Sequence, residues 1–210
     1  MDKLGIKGSL YDILGYIMPG AFVLLGLFAM YENKKGVNLI LWLQNHVDVH
    51  MGLAFGCGIL VCSYIVGHIL TSIGSLLFEN RHVKRLFSEA WLRNLYKIDE
   101  NREGEAYKAR FKELFGCDAV FSFRNVVAYS QERTKTVYDT AFVFLSIYGL
   151  SRNISVALLV LLAVHYLIIG DSWSGSLYAA FFISFIAMVH NYFRFREYYI
   201  AQIYASLTAV

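Results

Sequence analysis

Hydrophobic residues in this chain are gathered into four long runs, and most of the polar residues lie between them. The runs cover residues 11–31, 51–78, 154–170 and 177–193. A helix needs about 20 apolar residues, within a range of about 17–25, to cross a hydrocarbon core roughly 30 Å thick. The pattern therefore predicts an all-α, polytopic membrane protein with four transmembrane helices.

The longest polar segment, residues 79–136, separates the second run from the third. Apolar residues recur in it at intervals of three or four, which predicts an amphipathic helix over 79–97 and a second helix from about 105 to 115. Two such helices form a small helical hairpin. The chain thus divides into a first transmembrane hairpin (1–78), a helical segment (79–136) and a second transmembrane hairpin (137–210).

The apolar region over residues 137–170 is too long for one ordinary span. Arg152 lies inside it, and an arginine at the bilayer centre costs at least about 2.5–3.5 kcal/mol on insertion scales. We therefore expect Arg152 at the membrane interface, residues 138–150 as an interfacial lead-in, and a span that begins at residue 154. The alternative is one long tilted helix that reaches into the cytoplasm.

Composition and charge support a membrane location and give it an orientation. Hydrophobic residues make up 57% of the chain and charged residues only 17%. Of the 35 charged residues, 21 lie between residues 79 and 135, twelve of them basic and nine acidic. Because basic residues are retained in cytoplasmic loops, this distribution places the helical segment and both termini in the cytoplasm. The mixed charge argues against a direct nucleic-acid partner, whereas membrane lipids are an expected one.

Four residues are predicted to lie at the membrane interface: Pro19, Arg152, Arg194 and Arg196. Pro19 has no backbone N–H, so the first span is expected to kink there. Arg194 and Arg196 follow the last apolar run among aromatic residues, a combination that anchors a helix end at lipid headgroups.

Small residues follow one face of the second run. They are Gly52, Gly56, Ser63, Gly67, Thr71 and Gly74. A face of this kind lets another backbone approach closely. Two interpretations stay open: packing against another span of the same chain, and packing between the subunits of a homo-oligomer.

No catalytic pattern is present. P-loop, kinase, His-Glu-x-x-His and paired Cys-x-x-Cys patterns do not occur, and we predict no enzymatic activity, no cofactor and no metal. His46, Asp48 and His50 could supply three ligands in an outer loop, but a zinc site needs a further ligand with the right geometry, so a solvated loop is expected.

Histidines within the apolar runs have a different expectation. His68, His165 and His190 are each expected to form an interhelical hydrogen bond rather than a proton relay.

The helical segment concentrates aromatic and basic side chains that suit the docking of a soluble protein. The predicted partner-binding residues are Trp91, Arg93, Lys97, Tyr107 and Arg110. They favour a signalling or scaffold protein, although the aromatic side chains could instead close the hairpin or lie on the bilayer. The alternative function is a pore-forming effector that depolarises the cell; against it, no span has a continuous polar face.

Three stretches carry a resemblance to a known family. They are Tyr11-Asp-Ile-Leu-Gly-Tyr-Ile-Met-Pro-Gly20, Ile147-Tyr-Gly-Leu-Ser-Arg-Asn153 and Tyr192-Phe-Arg-Phe-Arg-Glu-Tyr-Tyr199, about 25 of the 210 residues. They resemble small four-span membrane proteins of bacterial phage-defence loci, nearest to the KwaA family of the Kiwa system. The resemblance implies a homo-oligomer in the bacterial inner membrane that senses a perturbed envelope and signals to a cytoplasmic protein.

Overall fold

The computed structural model describes residues 10–36, 41, 49–78, 100–116, 120–169 and 175–208. Within these ranges all regular secondary structure is helical, which confirms the all-α fold class. The helices are α1 (Met18–Lys35), α2 (Val49–Phe78), α3 (Glu100–Phe115), α4 (Phe123–Arg133), α5 (Lys135–Val164) and α6 (Gly175–Ala205). Two π-helical turns, Ile13–Ile17 and His165–Ile169, precede α1 and follow α5.

Four helical segments are long and apolar enough to cross a membrane. They are Leu10–Glu32, Gly52–Phe78, Lys135–Leu167 and Gly175–Ala205. They contain the four apolar runs almost entirely, so the prediction of a polytopic membrane protein with four transmembrane helices is confirmed. The third segment is 50% buried in its most apolar part, against 17% for the second and the fourth. It is therefore the segment most enclosed by the rest of the protein.

The region around Arg152 is one unbroken helix. Helix α5 runs through residues 151–153 without interruption. The break predicted near residues 151–153 is therefore absent, and one long helix runs through them. The physical reason is that the Arg152 side chain is only 5% exposed and is hydrogen-bonded to polar side chains, so it does not face lipid as the insertion cost assumed. The interfacial position of residues 138–150 stays a prediction.

The chain forms two compact units. The span unit comprises residues Met1–Leu77 and Ser146–Tyr192, and the aromatic unit comprises Phe78–Leu145 and Phe193–Val210. Helices α5 and α6 contribute residues to both units.

Among the described residues of the aromatic unit, five buried side chains form a core. They are Phe111, Val126, Ala141, Ile203 and Leu207. Rings pack around this core, and the Tyr107 ring stacks on that of Tyr204 with 5.1 Å between centroids. The predicted helix near residues 105–115 is present as α3 and begins earlier, at Glu100. The amphipathic helix predicted over 79–97 lies outside the described residues.

Helix α4 was not predicted from the sequence. Its N-cap is Ser122, whose Oγ accepts a hydrogen bond from the backbone N–H of Asn125 at 3.2 Å. Val126 and Ser130, four residues apart, form its buried face. A capping serine followed by this spacing is the local signal that would have indicated the helix.

Candidate functional site

A cluster of polar side chains lies inside the span unit, on the part of α5 that faces α2 and the π turn before α1. Ser151, Arg152, Asn153 and Ser155 are each 5% exposed or less. Burying polar groups in an apolar segment is unfavourable unless they are hydrogen-bonded. Polar groups in membrane spans for that reason tend to mark functional sites.

Asn153 connects three helical segments through its side-chain amide. Its Nδ2 donates to the carbonyl oxygen of Gly15 at 2.6 Å and to Oγ1 of Thr71 at 2.7 Å. Thr71 Oγ1 in turn donates to the carbonyl oxygen of Gly67 at 2.9 Å. Asn153 Oδ1 accepts from Nε of Arg152 at 3.3 Å. Because the Gly15 carbonyl can only accept and the Arg152 guanidinium can only donate, these contacts fix the orientation of the amide.

The Gly15 carbonyl accepts from another helix because of Pro19. In an α-helix the carbonyl of residue 15 would accept from the N–H of residue 19, and proline has no N–H. The chain instead forms the π turn Ile13–Ile17, in which the N–H of Met18 donates to the carbonyl of Ile13. The structure thus has a π turn just before Pro19, whereas the kink expected at Pro19 stays a prediction, and Asn153 supplies the donor that proline lacks.

Arg152 makes two further contacts at the cluster, with Ser75 and with Tyr148. Its Nη1 donates to Oγ of Ser75 at 3.2 Å, and its guanidinium carbon lies 5.7 Å from the ring centroid of Tyr148, within cation–π distance. Gly74 leaves room for the arginine, since a Cβ at that position would lie 3.2 Å from Arg152 Cγ. These contacts offset the cost of burying the guanidinium. Both Arg152 and Pro19 are buried within the protein, and their placement at a membrane interface stays a prediction.

Replacing Arg152 by leucine is expected to lower the free energy of unfolding by about 1–3 kcal/mol, because the buried acceptor on Asn153 and the half-buried one on Ser75 lose their donor. Unfolding in mixed micelles with increasing denaturing detergent measures this. The matched control is Arg194→Leu, since Arg194 is exposed and its loss is expected to change stability by no more than about 0.5 kcal/mol. Equal effects of the two substitutions would contradict the buried network.

The small-residue face predicted on the second run divides into a packed and an open part. The structure buries Ser63, Gly67 and Gly74, half-buries Thr71, and exposes Gly52 and Gly56. A Cβ on Gly67 would overlap the backbone carbonyl of Tyr16, and a Cβ on Gly20 would overlap the carbonyl of Ser63. The part from 63 to 74 therefore packs against another span of the same chain. A Cβ on Gly56 would have no atom within 4 Å.

His68 and His165 lie in interhelical contacts. The His68 ring stacks on Tyr16, with centroids 4.0 Å apart and planes inclined by 16°. His165 Nδ1 lies 3.2 Å from Oη of Tyr178, a hydrogen bond that joins the third and fourth spans. The expected interhelical hydrogen bond is confirmed for His165, whereas His68 makes a ring contact instead.

Two of the predicted partner-binding residues lie in the aromatic unit and contact it. The Tyr107 ring is stacked on Tyr204. Arg110 Nε donates to the carbonyl of Leu207 at 3.4 Å, and its Nη1 pairs with Glu113 at 2.8 Å. Both side chains thus contact the C-terminal part of the aromatic unit, and their role in partner binding stays a prediction. The other three lie outside the described residues: Trp91, Arg93 and Lys97.

The two remaining interface residues lie in α6, which continues beyond the fourth apolar run. Arg194 Nε donates to Oη of Tyr198 at 3.0 Å, and Arg196 pairs with Glu197 at 2.9 Å. An arginine beside a tyrosine suits a headgroup region. Their interface role stays a prediction.

An open groove of about 1040 Å³ lies between α3 and α4. Its lining is largely apolar and includes Phe111, Leu114, Phe115, Val120 and Tyr129. Val120 is 74% exposed and Phe115 46%, so apolar surface remains open on α3 and on the segment just before α4, neither of which belongs to a candidate span. Open apolar surface of this kind is typical of interaction sites.

The buried cluster is a hydrogen-bond network. Its members donate and accept hydrogen bonds among three spans, and within the described ranges no group of three or more His, Cys, Asp or Glu residues could hold a metal ion. His46 and Asp48 lie outside those ranges. The surface of α3 carries an ion pair in which the Lys108 ammonium, 2.8 Å from Glu105, lowers the pKa of that exposed carboxyl.

Comparison with protein-family models, with curated proteins and with solved structures finds no match to this chain. Membership of the KwaA family therefore stays a proposal, resting on the three stretches quoted above.

Proposed function

We propose that this protein is a non-enzymatic, oligomeric sensor or scaffold of the bacterial inner membrane that signals to a cytoplasmic protein, in anti-phage defence. The observation that carries the proposal is the pairing of two different units on one chain. The span unit buries a polar network among apolar helices, and the aromatic unit includes two helices, α3 and α4, that are not candidate spans. The span unit, which would lie in the membrane, is thereby joined to the aromatic unit, whose surface would bind a soluble partner.

The distribution of basic residues supports an assignment of α3 and α4 to one side of the membrane. The concentration of basic residues between 79 and 135 supports a cytoplasmic position for α3 and α4, and with it cytoplasmic termini. A soluble partner would then meet the groove between α3 and α4, whose apolar floor is bordered by Glu132 and Arg133. The charged rim and apolar floor resemble the anatomy of protein–protein interfaces.

Oligomer formation is supported by the open part of the small-residue face. Gly52 and Gly56 are exposed, and so is Cys57 between them and the packed part of α2. A second copy could approach closely there, as small residues allow in membranes. The pore-forming alternative needs the same oligomer but also a polar lining. Among the described residues, the exposed large side chains of α2 include Leu53, Leu60 and Ile65, which favours a scaffold.

A crosslinking pull-down of the intact protein from native membranes tests the proposal. We expect one soluble protein to be recovered in fixed ratio to an oligomer. Val120→Asp should reduce recovery of that partner about tenfold or more, because a carboxylate in an apolar contact costs at least about 1.4 kcal/mol of binding. The oligomer itself should persist in this variant.

The control is Lys108→Glu, a charge reversal on the exposed face of α3. It should leave partner recovery unchanged. Recovery of an oligomer with no soluble partner would contradict the scaffold and favour the pore, which a voltage-sensitive dye then tests directly. Oxidation of the exposed Cys57 and Cys62 to disulfide-linked dimers would locate the subunit contact on α2.

A further inference from the structure

We propose that the groove between α3 and α4 binds an amphipathic helix of the cytoplasmic partner, which places apolar side chains in the groove and acidic side chains beside it. This binding role rests on the proposed function, because it requires a soluble partner, and it adds the chemistry by which that partner is recognised. Four features of the groove support it: the spacing of its lining residues, its size, its preformed walls and the charge around it.

The residues that line the groove recur with the period of a helix. On α3 they are Phe111, Leu114 and Phe115, and on α4 they include Asn125, Tyr129 and Arg133. Residues spaced by three or four positions form one stripe along a helix, and the stripe on α4 spans about 12 Å at the helical rise of about 1.5 Å per residue. Stripes on two adjacent helices leave a furrow that accepts the side-chain ridge of a third helix. An extended strand would place only every second side chain in such a furrow.

The size of the groove favours a polypeptide over a small molecule. Sites for small molecules have volumes of about 300–1,000 Å³ and enclose most of the ligand. The groove has a volume of about 1040 Å³ and is open, and Val120 at its edge is 74% exposed. A small molecule would remain largely in contact with solvent there, whereas a helix could fill the groove and keep its outer face in water.

The walls of the groove are joined to each other by contacts within the protein. The Phe115 ring of α3 packs edge-on against the Tyr129 ring of α4, with 5.2 Å between centroids. The carbonyl oxygen of Val120 accepts a hydrogen bond of 2.9 Å from Nδ2 of Asn125, which ties the segment before α4 to the first turn of that helix. A site that is already formed loses less conformational entropy when its ligand binds.

Basic side chains exceed acidic ones around the groove. Glu132 and Arg133 belong to its lining, and Lys112 and Arg124 lie one turn or less before lining residues of α3 and α4. All four side chains are exposed, and they carry three positive charges and one negative charge. Acidic side chains on the flanks of a partner helix would complement this excess. An anionic bilayer would meet the same charges, but amphipathic helices bind membranes through a convex apolar face, and this apolar surface is concave.

Site-specific photo-crosslinking of the intact protein in native membranes tests the proposal. Benzoylphenylalanine is placed at Val120 and, in a control variant, at Ala109. Ala109 is exposed and lies two residues before Phe111, on the opposite side of α3. Mass spectrometry then identifies the crosslinked peptide. We expect Val120 to yield a peptide of one soluble protein, with apolar residues at intervals of three and four and a net negative charge. The Ala109 variant should not yield that peptide.

Reversal of two charges tests how the helix is recognised. Lys112→Glu combined with Arg133→Glu should lower the yield of the Val120 crosslink at least about tenfold, because like charges would then face each other across the interface. Ala109→Glu is the control and should leave the yield within about twofold of the original, as an exposed substitution outside the groove. Resistance of α3 to protease in nanodiscs shows whether each variant is folded. If the double variant is not, Lys112→Gln with Arg133→Gln replaces it and should lower the yield about threefold or more.

The proposal is overturned if Val120 crosslinks to lipid, to a second copy or to another part of the same chain, or if the charge reversals leave the yield unchanged. It is equally overturned if the crosslinked peptide lacks the helical spacing or the negative charge. A soluble protein that is recovered by pull-down but does not crosslink at Val120 would overturn this use of the groove and leave the proposed function intact. Recovery of no soluble partner at all would contradict both.

Discussion

Replacing Gly67 by leucine is expected to separate the first two spans and to lower the free energy of unfolding by about 3 kcal/mol or more, the upper range for an overpacked site. The reason is that the new Cβ would overlap the backbone carbonyl of Tyr16, which has no side-chain freedom with which to yield. Denaturing-detergent titration in mixed micelles, followed by circular dichroism, measures the loss.

Gly56→Leu is the matched control, because the same substitution on the same helix meets open space. It should change the stability of the single chain by no more than about 0.5 kcal/mol. If the open part of α2 forms the subunit contact, this variant should lose the oligomer while its fold is retained. A Gly67 variant as stable as the Gly56 variant would show that the two spans do not pack as closely as the structure has them.

Truncating Phe111 to alanine is expected to destabilise the aromatic unit by about 3–5 kcal/mol, the usual cost of removing a buried phenylalanine ring. The Phe111 side chain is 3% exposed. The centroid of its ring lies 4.5 Å from the ring centroid of Phe115 and 5.5 Å from that of Phe121. Limited proteolysis of the full-length protein in nanodiscs reports the change, since α3 should become cleavable.

Phe115→Ala provides the comparison for this substitution, because Phe115 lies one turn further along the same helix and is 46% exposed. Its removal should cost only about 1 kcal/mol, since half of the ring is already in contact with solvent. Similar protease sensitivity in the two variants would mean that the cluster around Phe111 is not the core of the unit.

The transmembrane helices could be predicted because apolar length is a local property of the sequence. The break expected near Arg152, which is absent from α5, rested on the same local property. The insertion cost of Arg152 was applied as if its guanidinium faced lipid, but Ser75 accepts one of its hydrogen bonds from 77 positions away in the chain. Partners this distant cannot be inferred from hydropathy or periodicity.

The candidate site was predictable in part. The missing backbone donor at Pro19 follows from proline chemistry alone, and a kink in the first span is expected for that reason. Which residue donates to the Gly15 carbonyl depends on the packing of α5 against the π turn, and nothing local to Asn153 in the sequence indicates that role. Likewise the spacing of small residues predicted a close contact on α2, but only the structure shows that Gly67 is in that contact and Gly56 is not.

The unbroken course of α5 has a mechanical consequence. A helix of 30 residues is about 45 Å long, half as long again as a hydrocarbon core of roughly 30 Å. Membranes that thin or thicken change the tilt of such helices. Because α5 has no break at which to bend, a tilt of about 10° would displace one end by about 8 Å relative to the other, given the 1.5 Å rise per residue. The helix would thus act as a stiff lever that converts bilayer thickness into movement at its far end.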